Sequence, residues 1–249
     1  MLLGTASWAE GPLVRRALVG RLDSGRLADL NRIEAVRLSK LGEGDPERLA
    51  EVLVPSSLRR VLEGGPRALA RVRQTLAYAE KWEHRGTLPA TLAPEPGSVQ
   101  QLPCLPRPAA IRRMDGQLLD RLAIQGPGAE LLALPIPGLA ALGLAGGTLA
   151  GFCVALEGPN GTILGAWFMD QWPEGSLELK VGAARRSAPL KAWEGLELPE
   201  LHGGEVLLLP PPRLKPIREW LPGAEVSVSA GAEQLLLRLG PEGVHPTLQ

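Results

Sequence analysis

The chain has 249 residues, 45% hydrophobic but only 4% aromatic, with 30 Gly and 24 Pro. That apolar fraction supplies a buried core and excludes a disordered chain, and the length allows one large or two modest domains. Lys+Arg 27 balances Asp+Glu 27, so no basic field is available to recruit nucleic acid or an anionic membrane surface.

The balance is uneven along the chain. Residues 1–113 carry 18 basic and 12 acidic groups, whereas residues 114–249 carry 9 and 15, which points to two parts with complementary surfaces. Cys104 and Cys153 are the only cysteines. They are too few for a thiolate zinc site or a disulfide scaffold and suit a reduced, cytoplasmic setting. Met1–Thr5 is too short for a signal-peptide apolar region and lacks a basic flank.

In chain order, Val14–Leu22 reads as a strand, Asp23-Ser24-Gly25 as a turn and Arg26-Leu27-Ala28 as a second strand, with Asp29 placed to cap a helix. Apolar residues at 30, 33, 36 and 41 predict that helix, ending near Gly42. Asp45-Pro46 opens a second short helix, because proline is tolerated at a first helical position and Asp accepts from the free amides. A third runs from Ser56 or Ser57 to Leu62. A fourth starts at Pro66 and carries Leu69, Val72, Leu76 and Ala79 on one face up to Gly86.

Six prolines between 87 and 110 exclude a continuous helix there and mark a docked linker. From Leu131 to Leu156 no residue is charged. The length could span a bilayer, but Pro135, Pro137 and five glycines with no basic flank favour two or three buried strands with tight turns, one at Gly143–Gly147. Short strands follow at Leu177–Val181, Glu205–Leu209, Glu225–Ser229 and Gln234–Leu239. The expectation is an α+β chain: an α/β region over residues 1–100, then a β-rich region over 101–249.

Chemistry-bearing motifs are sparse. His84, His202 and His245 have no second ligand at metal spacing and read as surface residues. No phosphate loop, nucleophile elbow, HExxH or CxxC occurs. Trp167-Phe168 and Trp172 bracket Asp170, which is either a salt-bridged surface acid or a functional acid with a raised pKa.

One resemblance covers most of the chain. Leu27-Ala28-Asp29-Leu30-Asn31, Gly44-Asp45-Pro46, Leu62-Glu63-Gly64-Gly65, Pro106-Arg107-Pro108-Ala109-Ala110-Ile111, Gly126-Pro127-Gly128, Ala188-Pro189-Leu190 with Trp193, and Gly204-Glu205-Val206-Leu207-Leu208-Leu209-Pro210-Pro211-Pro212 occur in the order in which similar segments occur in fumarylacetoacetate hydrolase family proteins. The resemblance implies a mixed-sheet β-roll like that family's catalytic domain. It also implies a Mg²⁺- or Mn²⁺-type site in which carboxylates hold a cation that polarises a β-dicarbonyl or enol carboxylate substrate, for hydrolysis, decarboxylation or isomerisation.

The residues expected at that site depart from the pattern. The family's paired glutamates, two apart on one strand, fall inside the charge-free Leu131–Leu156 stretch. Its general-base His falls at Arg121, its Lys at Gly182 and its Asp at Arg185, and its Thr-Gly-Thr turn becomes Leu209-Pro210-Pro211. Arginine stays protonated and cannot serve as a base. Gln125 follows closely on Arg121, where the family has a lid.

Sequence alone therefore favours a family-like fold with a degenerate site, acting as a binding or partner subunit without a cofactor. Arg121, Arg185 and Trp167 are the candidate residues for a small anionic metabolite, Asp170 is the remaining candidate metal ligand, and a homodimer is expected. The alternative is an active metal-dependent enzyme with relocated ligands, Asp170 with Glu157 or Glu174.

Overall fold

The computed structural model describes residues 1–119, 125–131, 136–158, 161–193, 195–215, 217, 223–231 and 233–240. Its first half follows the punctuation of the sequence. β1 (Leu2–Glu10) and β2 (Leu13–Arg21) form a hairpin, and β3 (Leu27–Asp29) pairs antiparallel with β2. Asp29 then caps α1 (Leu30–Lys40), accepting the Arg32 N–H at 3.2 Å. α2 (Pro46–Leu53) is capped in the same way by Asp45, which accepts from Arg48 N–H at 3.3 Å. α3 (Leu58–Glu63) meets α4 (Gly65–His84) at Gly65, whose φ of +76° is a left-handed conformation that favours glycine. Leu69, Val72, Leu76 and Ala79 form the buried face of α4, as their spacing predicts.

The charge-free stretch is strand. β8 (Ile136–Leu144) turns through Gly146 and Gly147, at φ +95° and +76°, into β9 (Thr148–Gly158). Both strands are buried on both faces, which is why they lack the alternation of a half-exposed strand. Among the described residues no helix is long and apolar enough to cross a membrane.

The remaining strands are β4 (Gln100–Leu102), β5 (Ile111–Arg113), β6 (Leu118–Leu119), β7 (Glu130–Leu131), β10 (Gly161–Leu164), β11 (Trp167–Met169), β12 (Ser176–Val181), β13 (Ala184–Pro189), β14 (Val206–Leu208), β15 (Glu225–Ala230) and β16 (Glu233–Leu239). They make two mixed sheets. The larger has the order β3-β2-β1-β11-β9-β8-β14-β5-β6, with β10 on β9 and β4 on β1, and the smaller has the order β13-β12-β15-β16-β7. The division expected near residue 100 does not interrupt the larger sheet, because β1 pairs both with β2 and with β11.

Three layers result. Helices cover one face of the large sheet, where Leu18, Leu30, Ile33, Val72 and Leu76 pack with Ala140 and Leu142. The small sheet covers the other face, where Leu139, Ala141, Phe152 and Val154 meet Leu177, Val226, Leu235 and Leu237. Each such Leu or Val removed from water contributes about 1.5–3 kcal/mol. β16 has strict alternation, with Leu235, Leu237 and Leu239 inward and Gln234, Leu236 and Arg238 outward.

Candidate functional site

The family resemblance expects its paired metal ligands within the charge-free Leu131–Leu156 stretch, most of which lies in the β8–β9 hairpin. Cross-strand pairs share a face, and the register places Ile136 beside Glu157, Gly138 beside Ala155, and Ala140 beside Cys153. β14 and β5 continue the last row with Leu208 and Arg113. This face thus presents Gly138, Ala140, Ala155 and Leu208, with Glu157 and Arg113 at its rim. The two rim residues form an ion pair. Leu209, opposite Leu139, donates its N–H to the Leu139 carbonyl at 2.9 Å, so the segment Leu209-Pro210-Pro211 is docked as a corner. Space around these residues amounts to about 20 Å³, room for roughly one water.

A hard divalent cation needs several oxygen ligands, of which one or two are normally carboxylates with nothing else neutralising them. Among the described residues of this face one carboxylate, Glu157, is present, and the Arg113 guanidinium already compensates it. Among the described residues no three His, Cys, Asp or Glu side chains converge as a cation-binding group. The residues present do not fit the implied metal. Phe152 and Val154 face the small sheet, and Leu149 is exposed. Small residues and Leu208 occupy the face.

The sequence-predicted site residues are dispersed. Asp170, just after β11, accepts the Met1 amine at 2.9 Å and Arg73 Nε at 3.1 Å. Met169 pairs antiparallel with Phe152, so Asp170 falls level with Gly151, six positions along β9 from Glu157 and roughly 20 Å away at the ~3.3 Å rise of a strand. Glu174 is exposed. Arg185 lies on β13 of the small sheet, exposed, and its guanidinium pairs with Glu178. Arg121 and His245 lie outside the described residues. His84 Nδ1 contacts the Glu80 carbonyl at 2.7 Å, one helical turn back, and His202 donates its backbone N–H to Glu205. Several tryptophans are packing groups: Trp172 meets Phe152 edge-on at 4.5 Å, and Trp193 Nε1 donates to the Pro210 carbonyl at 2.7 Å.

Among the described residues, Trp167 is the one candidate that borders a large cleft, of about 620 Å³, between the large sheet and the β15–β16 end of the small one. Arg21, Gln101, Ser229, Glu233 and Gln234 line the rest. Glu233 is 1% exposed. Its carboxyl accepts the Val154 N–H at 2.7 Å and the Trp167 N–H at 3.2 Å. Those two N–H groups lack sheet partners because β9 changes partner there, from β10 to β11, across Gly165 and Ala166. Burial pushes the Glu233 pKa up to about 8, against the lowering effect of the Val154 and Trp167 N–H groups. Sequence reasoning passed over this residue, although the inward phase of Leu235, Leu237 and Leu239 extends back to 233 and marks an inward-facing acid.

No protein-family model matches the sequence, and no curated protein matches it. Solved structures do match its fold. Maleylpyruvate hydrolase from Sphingobium sp. SYK-6 superposes with a TM-score of 0.62 at 12% identity, over 96% of this chain and 99% of that one. A probable 2-hydroxyhepta-2,4-diene-1,7-dioate isomerase from Mycobacterium abscessus gives 0.56 at 13% identity, over 99% and 100%. A 2-keto-3-deoxy-D-arabinonate dehydratase complexed with magnesium and 2,5-dioxopentanoate gives 0.52 at 10% identity, over 96% and 99%. These neighbours are fumarylacetoacetate hydrolase family proteins, and the chain has the fold of that family's catalytic domain. The α+β class with a mixed-sheet roll, expected from the sequence, is therefore correct.

Proposed function

We propose that the chain is a non-catalytic protein of this fold that binds a small anionic molecule or a partner. The observation that carries the reading is the Glu157–Arg113 ion pair, set on a strand face that also presents Gly138, Ala140, Ala155 and Leu208. A site that polarises a dicarbonyl through a cation needs carboxylates free to hold it. Here the lone carboxylate already has a guanidinium, and converting the face would require acids on β8, where there are none. Anionic ligands fit the reading because the names of the neighbours describe carboxylate compounds, maleylpyruvate and 2-keto-3-deoxyarabinonate among them.

The second reading is a metal-dependent hydrolase or isomerase that uses Glu157. Its support is that the Sphingobium hydrolase was also solved with manganese(II) and pyruvate, and the dehydratase with magnesium. Metal content after purification in Mg²⁺ or Mn²⁺, measured together with turnover of an acylpyruvate, separates the two. Metal well below one ion per chain with no turnover supports the first reading, and stoichiometric metal with turnover supports the second.

A further inference from the structure

A separate cleft, of about 470 Å³, opens on the helix-covered side of the large sheet between the β1–β2 hairpin, the start of α3 and the segment leading into β5. Arg16, Arg59, Arg60 and Arg107 line it, together with Ser57 and Thr5. Two of the four guanidiniums are committed. Arg59 Nε donates to Glu63 at 2.7 Å, and an Arg60 terminal nitrogen donates to Glu51 at 3.0 Å. Arg16 and Arg107 have no ion pair and no side-chain hydrogen bond among the described residues, and both are exposed. Ser57 precedes α3 without using its hydroxyl as a cap. Four guanidiniums against two carboxylates leave a local excess of positive charge, within the half of the chain where basic groups outnumber acidic ones.

The backbone that carries these two arginines is constrained. Arg16 is registered opposite Ser7 in the β1–β2 ladder, and Arg107 stands between Pro106 and Pro108, whose fixed φ limits the loop. A guanidinium offers paired N–H donors that match two oxygens of one anion, and a concave wall concentrates the field of several of them. We propose that this cleft binds a small, multiply charged oxyanion, gripped by Arg16 and Arg107. The inference deepens the binding reading above by giving it a site and a ligand class. It stands on different residues from the β8–β9 face, so acylpyruvate turnover would overturn that reading and leave this cleft to be judged by its own titration.

The test is calorimetric titration of the full chain with inorganic pyrophosphate and, separately, with citrate at matched ionic strength. Saturable one-site binding is expected, and the tighter of the two anions distinguishes a phosphoryl from a carboxylate ligand. Arg16→Gln/Arg107→Gln should weaken binding at least about tenfold, since each substitution removes a charge-assisted pair of donors. Arg238→Gln, a surface change on the outward row of β16 in the other sheet, should leave it within about twofold. The unliganded melting temperature of the double variant should equal that of the wild type, because neither arginine has a partner to lose. If that variant does not fold, Arg16→Lys/Arg107→Lys serves instead: it keeps the charge but not the paired donors, and should weaken binding detectably. Absence of saturable binding by either anion, or unchanged affinity in the folded variants, overturns the proposal.

Discussion

Glu233 reaches from the start of β16 across the gap between the sheets to accept the backbone N–H of Val154, 2.7 Å away and 79 positions earlier in the chain. Its other oxygen takes the Trp167 N–H. An unpaired buried N–H costs about 1–3 kcal/mol, so the carboxyl repairs the place where β9 exchanges one partner strand for another.

That repair gives stability a pH dependence of known sign. Burial raises the Glu233 pKa to about 8 in the folded protein from its ordinary value of 4.5. Between those values the folded state keeps a proton that the unfolded chain has released. Stability should therefore fall as pH rises through this window, with a limiting slope of about 1.4 kcal/mol per pH unit. Urea midpoints measured from pH 5 to pH 8 should decline in the wild type and flatten in Glu233→Gln. A wild-type midpoint that rises over this range would contradict the assignment.

Glu34 on α1 is fully buried and ties two helices together. It pairs with Arg37 at 2.9 Å and with Arg71 of α4, and it accepts the Thr75 hydroxyl at 2.8 Å. Glu34→Ala would strand two guanidiniums beside a buried hole and should cost about 3 kcal/mol, in the range for breaking a buried ion pair. Chemical denaturation measures this directly, and a loss below about 1 kcal/mol would mean that α1 and α4 are held by packing alone.

Asp170 attracts notice in the sequence because aromatics surround it, yet its oxygens are occupied by Arg73 and the Met1 amine. Arg73 is 48% exposed, so solvent discounts its share. Asp170→Ala should lower stability by about 1 kcal/mol, less at high salt. Thermal melts at two salt concentrations check both the size and the trend.

What was legible in the sequence was whatever local chemistry decides. Asp29 and Asp45 announce their helices because a free carboxylate satisfies first-turn amides, and Pro46 and Pro66 mark starts for the same local reason. The β8–β9 hairpin was visible because strands buried on both faces need an unbroken apolar run interrupted only by turn glycines. β1 was missed: Gly4, Thr5, Ala6, Ser7 and Ala9 are too small and too mixed to display a two-residue period, and the strand is held by neighbours on both sides. β13 was missed because it pairs with β12 alone and its inner row, Ala184, Arg186 and Ala188, includes a charged residue and so shows no apolar period. The sites were less legible still. Arg113 meets Glu157, and Glu233 meets Val154, only after strands far apart in sequence are brought into register.

The most direct test of the non-catalytic reading is the Mg²⁺- or Mn²⁺-dependent turnover of an acylpyruvate by the purified chain, with bound metal measured on the same sample. With Glu157 held by Arg113 and no acid on β8, metal should stay well below one ion per chain and turnover should not rise above the uncatalysed rate. One tightly bound ion per chain, with turnover that disappears in Glu157→Ala or Asp170→Ala, would contradict the reading and establish a metal-dependent enzyme in its place.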